Sequence, residues 1–263
     1  MGHLGADNVR REFKGMVERC ADCGFDLAGG KVEVIPTAHY MMGGVQFHAD
    51  CTTQMPRLYA AGEDTGGVHG ANRLGGNGVA NSTVFGGLAG DSMAAKLDAA
   101  EKLADPDKAA IAAAHERAYA PLGRKRGDLE AVRRRLYQVM WDDVGILRTA
   151  EGLTRAMHEL NNLATTISLM GVADPEKRYN LTWMDRLNLE NLVLTSRAIC
   201  AAAQAREDSR GAHYREDFPA TSDLASSHYT VVRATGESFN VTTEPVVFSR
   251  VKPGQSLLPQ AAE

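Results

Sequence analysis

Cysteine is scarce in this sequence. Only Cys20, Cys23, Cys51 and Cys200 occur among 263 residues, which is typical of a protein from a reducing compartment. Cys20 and Cys23 have the spacing of a metal-binding pair, but the sequence has neither a second pair nor a neighbouring histidine pattern. Two ligands cannot complete a tetrahedral site, so we expect ordinary cysteines at a helix end and no bound metal.

Long hydrophobic runs and an excess of one charge are also missing. No apolar run approaches the roughly 20 residues that a membrane-spanning helix needs. Lysine and arginine number 29 against 33 aspartates and glutamates, and this net charge of −4 argues against a nucleic-acid partner. The chain opens without a signal-peptide pattern, and Ala6 stands where a myristoylation signal needs serine or threonine. We therefore expect a cytoplasmic protein with no transmembrane segment.

The hydrophobic periodicity predicts an α+β fold dominated by helices. Helices are expected over 7–23, 79–97, 107–119, 128–141, 149–170 and 182–206, the last several forming an antiparallel bundle. Within the bundle, the inward positions are Leu129, Val132, Leu136, Val139 and Met140, and then Leu189, Leu192, Val193, Ser196, Ile199 and Cys200. Short strands are expected over 31–35, 45–49, 58–62 and 246–251, and a β-hairpin over 228–234 and 238–243.

The most informative stretch runs from Leu58 to Phe85. An apolar segment ends at Glu63, and six glycines follow before a helix of small residues begins near Val79. Glycines at this density let the backbone approach a flat ligand closely. A helix start after such a loop presents free N–H groups to an electron-rich oxygen. A glycine loop before a helix is most often only a turn, but here polar residues sit at fixed offsets among the glycines.

Three motifs in this sequence resemble one protein family. The stretch AAGE–GGVHGANRLGGN looks like the flavin and substrate motif of the succinate dehydrogenase/fumarate reductase flavoprotein family, which also contains L-aspartate oxidase. PTAHYMMGG (Pro36 to Gly44) resembles the substrate-binding histidine segment of that family, and DSRGAHYREDFP (Asp208 to Pro219) resembles its C-terminal signature. The motifs cover nearly the whole chain in the family's order. The resemblance implies FAD as the cofactor.

The resemblance also assigns two substrate-binding residues. His39 and Arg73 are expected to bind the carboxylates of a small dicarboxylate such as succinate or fumarate. An arginine fork matches a carboxylate with two parallel hydrogen bonds, and histidine adds a donor beside it. A single histidine in an irregular segment is usually structural, so the assignment of His39 depends on the full motif. The sequence leaves the direction, succinate oxidation or fumarate reduction, open.

The expected cofactor-binding residues are Gly43, Gly44, Glu63, Asn77, Gly78 and Val79. Glu63 resembles the family's contact with the flavin ribityl or ribose, although it could also be a surface acid at a strand end. Gly43 and Gly44 would let the backbone approach the ring, and Gly78 and Val79 would offer N–H groups to its pyrimidine edge. In succinate dehydrogenases a serine typically stands at the position of Gly78, so this chain looks closer to soluble fumarate reductase relatives. That departure leaves the substrate open.

Other parts of the family pattern are missing. No strand–GxGxxG–helix unit occurs near the N-terminus, and the arginine that donates the proton to fumarate would lie upstream. We therefore expect a C-terminal half, incomplete and inactive alone, with little or no FAD binding until an N-terminal FAD-binding half joins it. Family members often pair with an iron–sulfur subunit, which would place the protein peripherally on the inner side of a membrane.

The expected domains are a flavin-domain segment of short strands and helices over 1–99, a helical bundle over 100–210, and a C-terminal extension with a small β-hairpin over 211–263. Arg210 and His213, in the third motif, are expected to be structural and to lock the last bundle helix against the flavin-domain segment. Two alternatives remain: a non-catalytic docking module of a split flavoprotein, and an L-aspartate oxidase-like enzyme.

Overall fold

A computed structural model of the protein describes residues 2–35, 39–98, 105–236 and 238–256. The chain forms two compact units, Met1–Met41 and Met42–Glu263. The α-helices of the described residues are α1 (Ala6–Glu12), α2 (Lys14–Asp22), α3 (Asn77–Asp98), α4 (Lys108–Tyr119), α5 (Leu129–Asp142), α6 (Ala150–Leu169) and α7 (Leu181–Ala205). The strands are β1 (His228–Thr235) and β2 (Ser238–Pro245). This mixture confirms the α+β class, whereas the predicted domain boundaries at 99 and 210 stay predictions.

The first unit departs from its prediction in two places. The helix expected over 7–23 is split into α1 and α2 at Phe13, whose backbone leaves the helical region (φ −120°, ψ 34°). The strand expected over 31–35 is wrong, because these residues have no regular structure and Val34 and Ile35 are 83% and 70% exposed. A β-branched run needs a partner strand for its N–H and C=O groups, and the described residues supply none to this segment.

The bundle of α5, α6 and α7 holds the main hydrophobic core. On α5, four predicted positions are buried and Met140 packs against the cluster from its edge. On α7, the prediction for Leu192 is wrong, since this residue is 43% exposed. The buried stripe of this helix runs through Leu189, Val193 and Cys200 at spacings of four and seven residues, which turns Leu192 away from it. The antiparallel order of the helices stays a prediction.

Side-chain caps fix where these helices begin. Asp107 accepts from the N–H groups of Ala109 and Ala110, Asp128 from Ala131, Thr149 from Gly152, and Asn180 from Trp183. Each cap satisfies an N–H group that has no partner inside the first turn.

Truncating the core of α6 should destabilise the second unit. Leu160 is fully buried, whereas Leu169 on the same helix is 72% exposed. We expect Leu160→Ala to lower the free energy of unfolding by about 3 kcal/mol, because the lost transfer energy adds to the cavity that remains. Leu169→Ala removes the same atoms from the surface and serves as the control. Urea denaturation of the two variants measures the difference, and equal losses would contradict this description of the core.

The strand predictions hold only in part. The hairpin is confirmed: β1 and β2 pair antiparallel from His228↔Pro245 to Thr235↔Ser238, around Gly236 in the left-handed region (φ 62°). The third strand over 246–251 is wrong, and so are those over 45–49 and 58–62, where the described residues form only the isolated bridges Val45↔Thr65 and Thr52↔Tyr59. These segments turn too soon for a ladder to extend. Among the described helices, none combines the length and the apolar character that crossing a bilayer requires.

Candidate functional site

The candidate site is built on the segment 62–76, which we call the glycine loop, and on the start of α3. Four glycines of this loop adopt left-handed backbone angles, namely Gly62, Gly67, Gly70 and Gly76, with φ between 57° and 94°. Residues with a side chain rarely adopt these angles, so the backbone conformation of the loop requires glycine at these positions. The loop therefore reverses direction repeatedly without a strand or helix of its own.

A second segment supports the loop from one side. The N–H of Val45 donates to the carbonyl of Asp64 over 2.7 Å, and the N–H of Gly66 donates to the carbonyl of Val45 over 3.1 Å. Gly44 lies so close that a Cβ there would stand 2.2 Å from the Asp64 oxygen. Close packing of two backbone segments thus requires glycine at this position. Its expected contact with a flavin stays a prediction.

Two buried polar residues fix the base of the loop. The Asn81 amide donates from Nδ2 to the carbonyl of Gly62 over 3.0 Å and lies 3.2 Å from Nε2 of His69. The Thr65 hydroxyl donates to the same carbonyl over 2.7 Å. Sequence analysis missed Asn81 and Thr65. Asn81 could have been recognised from the sequence, because it lies among small and apolar residues one turn after the start of the helix. A buried amide at such a position needs hydrogen-bond partners.

The start of α3 is open to solvent. An added Cβ at Gly75 or Gly76 would meet nothing within 4 Å. Asn77, Gly78 and Val79 form the first turn, and Val79 is 77% exposed. The first N–H groups of a helix lack partners within it and carry the positive end of its dipole. A planar, electron-rich ligand could therefore approach this helix end without displacing any described side chain.

Arg73 and Glu63 are the charged residues expected to act at this site. The half-buried Arg73 donates from Nη1 to the carbonyl of Leu74 over 3.1 Å, next to the start of α3. Glu63 is exposed and follows the left-handed Gly62. With Gly43, Gly44, Asn77, Gly78 and Val79, both belong to the unit Met42–Glu263. Glu63, Arg73 and the start of α3 lie on one short stretch of chain, and Gly44 packs against this stretch from a second segment.

His39 lies in the other unit, Met1–Met41, where it is exposed. The first three residues of its motif, 36–38, lie outside the described residues. The expected meeting of His39 with Arg73 therefore stays a prediction.

Helix α3 exposes apolar side chains on opposite sides in the described part of the chain. Its exposed residues include Val79, Val84, Leu88, Met93 and Leu97, which are between 41% and 77% exposed. A Cβ at Gly86, Gly87 or Gly90 would meet nothing within 4 Å of the described atoms. Exposed apolar side chains in this number along one helix are typical of an interaction surface.

The 208–219 segment connects the bundle to the glycine loop. Arg215 is fully buried and holds Asp217 with two hydrogen bonds of 2.7 Å, while its Nη1 donates to the carbonyls of Ala203 and Gln204 at the end of α7. The pKa of Asp217 falls well below its usual value because Arg215 donates to this carboxylate. The predicted lock on α7 is thus made by Arg215. The predicted residues bond elsewhere, Arg210 to Ser227 and Ser222 and His213 to Arg148.

His213 is half-buried and neutral. Nη1 of Arg148 lies 2.7 Å from its Nδ1, and since arginine can only donate, Nδ1 accepts and the proton resides on Nε2. Burial first, and then the charge of Arg148, lower the pKa of His213 from 6.5 to about 4. The backbone of Arg206 and the carboxylate of Asp208 raise this pKa, whereas the charge of Arg206 lowers it.

The half-buried imidazole predicts an acid-dependent stability. The unfolded chain takes up a proton near pH 6.5 and the folded chain only near pH 4, so stability from His213 is complete above pH 6.5 and is lost as pH falls through about 4. We expect the free energy of unfolding to drop by about 2–3 kcal/mol over this window. His213→Gln, which keeps an acceptor for Arg148 but does not titrate, should flatten it. Urea denaturation between the two pH values measures both profiles, and parallel profiles would contradict the assignment.

Comparisons with known proteins support the resemblance. Residues 133–258 match the family model for the C-terminal region of the fumarate reductase flavoprotein, and residues 1–79 match that of an FAD binding domain. One subunit of the fumarate reductase (CoM/CoB) of Methanothermobacter marburgensis is 35% identical over 222 residues, which are 84% of this chain and 40% of that protein. L-aspartate oxidase of Pseudomonas aeruginosa is 32% identical over 231 residues, 83% of this chain and 39% of the enzyme.

A solved structure shows the same fold. Mycobacterium smegmatis Sdh1 in complex with UQ1 superposes with a TM-score of 0.82 at 30% sequence identity, over 92% of this chain and 41% of that one. The chain therefore spans about two fifths of the length of the proteins it matches.

Proposed function

Because this chain belongs to the succinate dehydrogenase/fumarate reductase flavoprotein family, with FAD as its cofactor, we propose that it supplies the substrate-binding half of an oxidoreductase that interconverts succinate and fumarate or a similar small dicarboxylate. The observation that carries this proposal is the half-buried guanidinium of Arg73, held in the glycine loop beside the open start of α3.

The charged residues would bind and orient the substrate. Arg73 is held by its hydrogen bond to the carbonyl of Leu74, and a guanidinium carries five N–H donors in a planar fork whose geometry suits a carboxylate. His39 would bind the second carboxylate and polarise the substrate beside it. These contacts fix which carbon faces the cofactor and do not themselves transfer electrons.

The residues present fit one edge of FAD. The space next to Gly75 and Gly76 is open. The N-terminal N–H groups of α3 suit the electron-rich oxygens of the flavin pyrimidine ring. Gly78 and Val79 would hold that edge, and Glu63 would accept hydrogen bonds from hydroxyl groups of the cofactor. When bound, FAD supplies the hydride chemistry, while this chain supplies position and charge.

The remaining cofactor contacts are assigned to an N-terminal FAD-binding half. The chain matches about two fifths of its relatives, and α3, which begins at the proposed cofactor edge, exposes the apolar residues Val79, Val84, Leu88, Met93 and Leu97. A polypeptide that completes the FAD site would cover such residues and remove them from water. An iron–sulfur protein is a further proposed partner, through which the assembly would lie on the inner side of a membrane.

Reconstitution tests this division of labour. We expect the purified chain to be colourless or to bind FAD weakly, and to lack fumarate reductase activity. Adding the N-terminal FAD-binding half and FAD should give a yellow complex that elutes together in gel filtration. Val84→Asp, at an exposed apolar residue of α3, should weaken the complex, whereas Ile111→Asp, at a residue of α4 that is similarly exposed, should leave it intact. A yellow, active chain without any addition would contradict the proposal.

A second candidate function is L-aspartate oxidation. The sequence identity of this chain to L-aspartate oxidase from Pseudomonas aeruginosa is nearly as high as its identity to the Methanothermobacter fumarate reductase subunit. This similarity favours aspartate oxidation at the same site as the alternative. Steady-state assays of the completed protein with succinate, fumarate and aspartate distinguish the two. The other alternative, a docking module without catalysis, predicts a stable complex that turns over none of the three.

A further inference from the structure

The 208–219 segment contacts the glycine loop at Ala71. The N–H of Ala212 donates to the carbonyl of Ala71 over 3.0 Å. Gly211 lies against the same group in a left-handed conformation (φ 57°), and a Cβ there would stand 2.2 Å from the Ala71 oxygen and 2.5 Å from its carbonyl carbon. The two backbones are thus in direct contact, and any side chain at position 211 must displace the loop or the segment.

The other side of the segment is fastened to the bundle. The N–H of Glu216 donates to the carbonyl of Arg148 over 2.8 Å, and the carboxylate of Asp217 accepts from the N–H of Ala150 at the first residue of α6 over 2.9 Å. The buried Arg215 adds its bonds to the end of α7. The start of α6 and the end of α7 therefore fix the position of Gly211 and Ala212 where they contact the loop.

From this geometry we propose that the 208–219 segment is a positioning element, which transmits the placement of the bundle to Arg73 through Ala71. Ala71 is two residues from Arg73 in a loop whose glycines impose little rigidity of their own. The contact of Gly211 and Ala212 with Ala71 therefore adds to the bonds of Thr65 and Asn81 in setting where the guanidinium lies. The role of Arg73 in dicarboxylate binding rests on the proposed function, whereas the ordering of the loop by Gly211 does not.

Gly211→Ala tests the contact, with Gly236→Ala as the matched control. Both glycines have similar left-handed angles, 57° and 62°, but a Cβ at Gly236 would meet nothing within 4 Å. The control thus carries the backbone strain without the clash. In hydrogen exchange of the purified chain, we expect Gly211→Ala to lose protection at amides 65–77 while α5, α6 and α7 keep theirs. Gly236→Ala should leave amides 65–77 unchanged.

Steady-state kinetics of the completed protein distinguish a positioning role from a purely structural one, because a purely structural role would leave KM unchanged. We expect Gly211→Ala to raise KM for the dicarboxylate about 10- to 100-fold, as a displacement of about 1 Å in a positioning group can do. The FAD content should stay that of the parent protein. If the parent shows no turnover with any dicarboxylate, the proposed function fails, but hydrogen exchange still decides whether Gly211 orders the loop.

Asp217→Asn provides a second route should Gly211→Ala not fold. It weakens the fastening to α6 without touching the loop, so a smaller loss of protection confined to amides 65–77 is expected. The proposal is overturned if a folded Gly211→Ala or Asp217→Asn keeps both the loop protection and the KM of the parent. It is also overturned if the loss spreads equally over the bundle helices.

Discussion

Replacing Arg73 with glutamine should lower kcat/KM of the completed protein for its dicarboxylate by at least about a thousandfold, on the order of 4 kcal/mol. Glutamine keeps much of the side-chain length but loses the charge and the fork of parallel donors. The carboxylate would then enter a half-buried site without its cation. Because the start of α3 does not depend on this side chain, FAD binding should persist. Initial rates with succinate and fumarate measure the loss.

The matched control for this prediction is Arg57→Gln. Arg57 is an exposed arginine on the segment that leads into the glycine loop, and the substitution changes the net charge equally. We expect less than about a threefold effect from it, since exposed charges act only through a screened field. If both variants lose activity equally, or if Arg73→Gln retains most of its activity, Arg73 does not bind the substrate.

Replacing Arg215 with alanine should lower the free energy of unfolding by about 3–5 kcal/mol. Its side chain is fully buried and donates to three carbonyls, those of Ala203, Gln204 and Arg206, over 3.1–3.2 Å. These carbonyls lie at the end of α7 and would be left without their donor, in a cavity that the guanidinium filled. The fork to Asp217 would be lost at the same time.

An exposed arginine provides the comparison for Arg215. Arg155 on α6 pairs with Asp143 and Glu151, but its side chain is 57% exposed. We expect Arg155→Ala to cost less than about 1 kcal/mol, because water screens such pairs and solvates the partners that remain. Thermal and urea denaturation of the chain measure both variants. A loss below about 1 kcal/mol for Arg215→Ala would show that the 208–219 segment is not fastened by this side chain.

The helices were predictable because their information is local. Thr149 caps α6, and the apolar stripe of α5 repeats at helical spacing, so both could be recognised from neighbouring residues alone. The strands over 31–35 and 45–49 failed because strand formation depends on a partner elsewhere in the chain. Leu192 failed because a hydrophobic residue one position off the buried stripe looks similar in sequence to one on it.

The glycine loop and the start of α3 were predictable as elements of the chain, whereas the contacts that support them were not. The binding roles of the site residues stay predictions. Asn81, Thr65 and Gly211 were missed because their importance lies in contacts with distant carbonyls, those of Gly62 and Ala71. Such contacts have no periodicity and leave no local pattern. The position of His39 beside Arg73 stays a prediction.

Electron exchange with a dicarboxylate is the most direct test of the account. The chain is combined with its N-terminal FAD-binding half and FAD, the flavin is reduced without oxygen, and fumarate is added while the flavin absorbance is followed. The reverse experiment adds succinate to the oxidised protein. We predict that at least one of the two four-carbon dicarboxylates changes the redox state of the flavin, that the monocarboxylate crotonate does not, and that Arg73→Gln abolishes the change. A complex that binds FAD but responds to neither dicarboxylate would contradict the account.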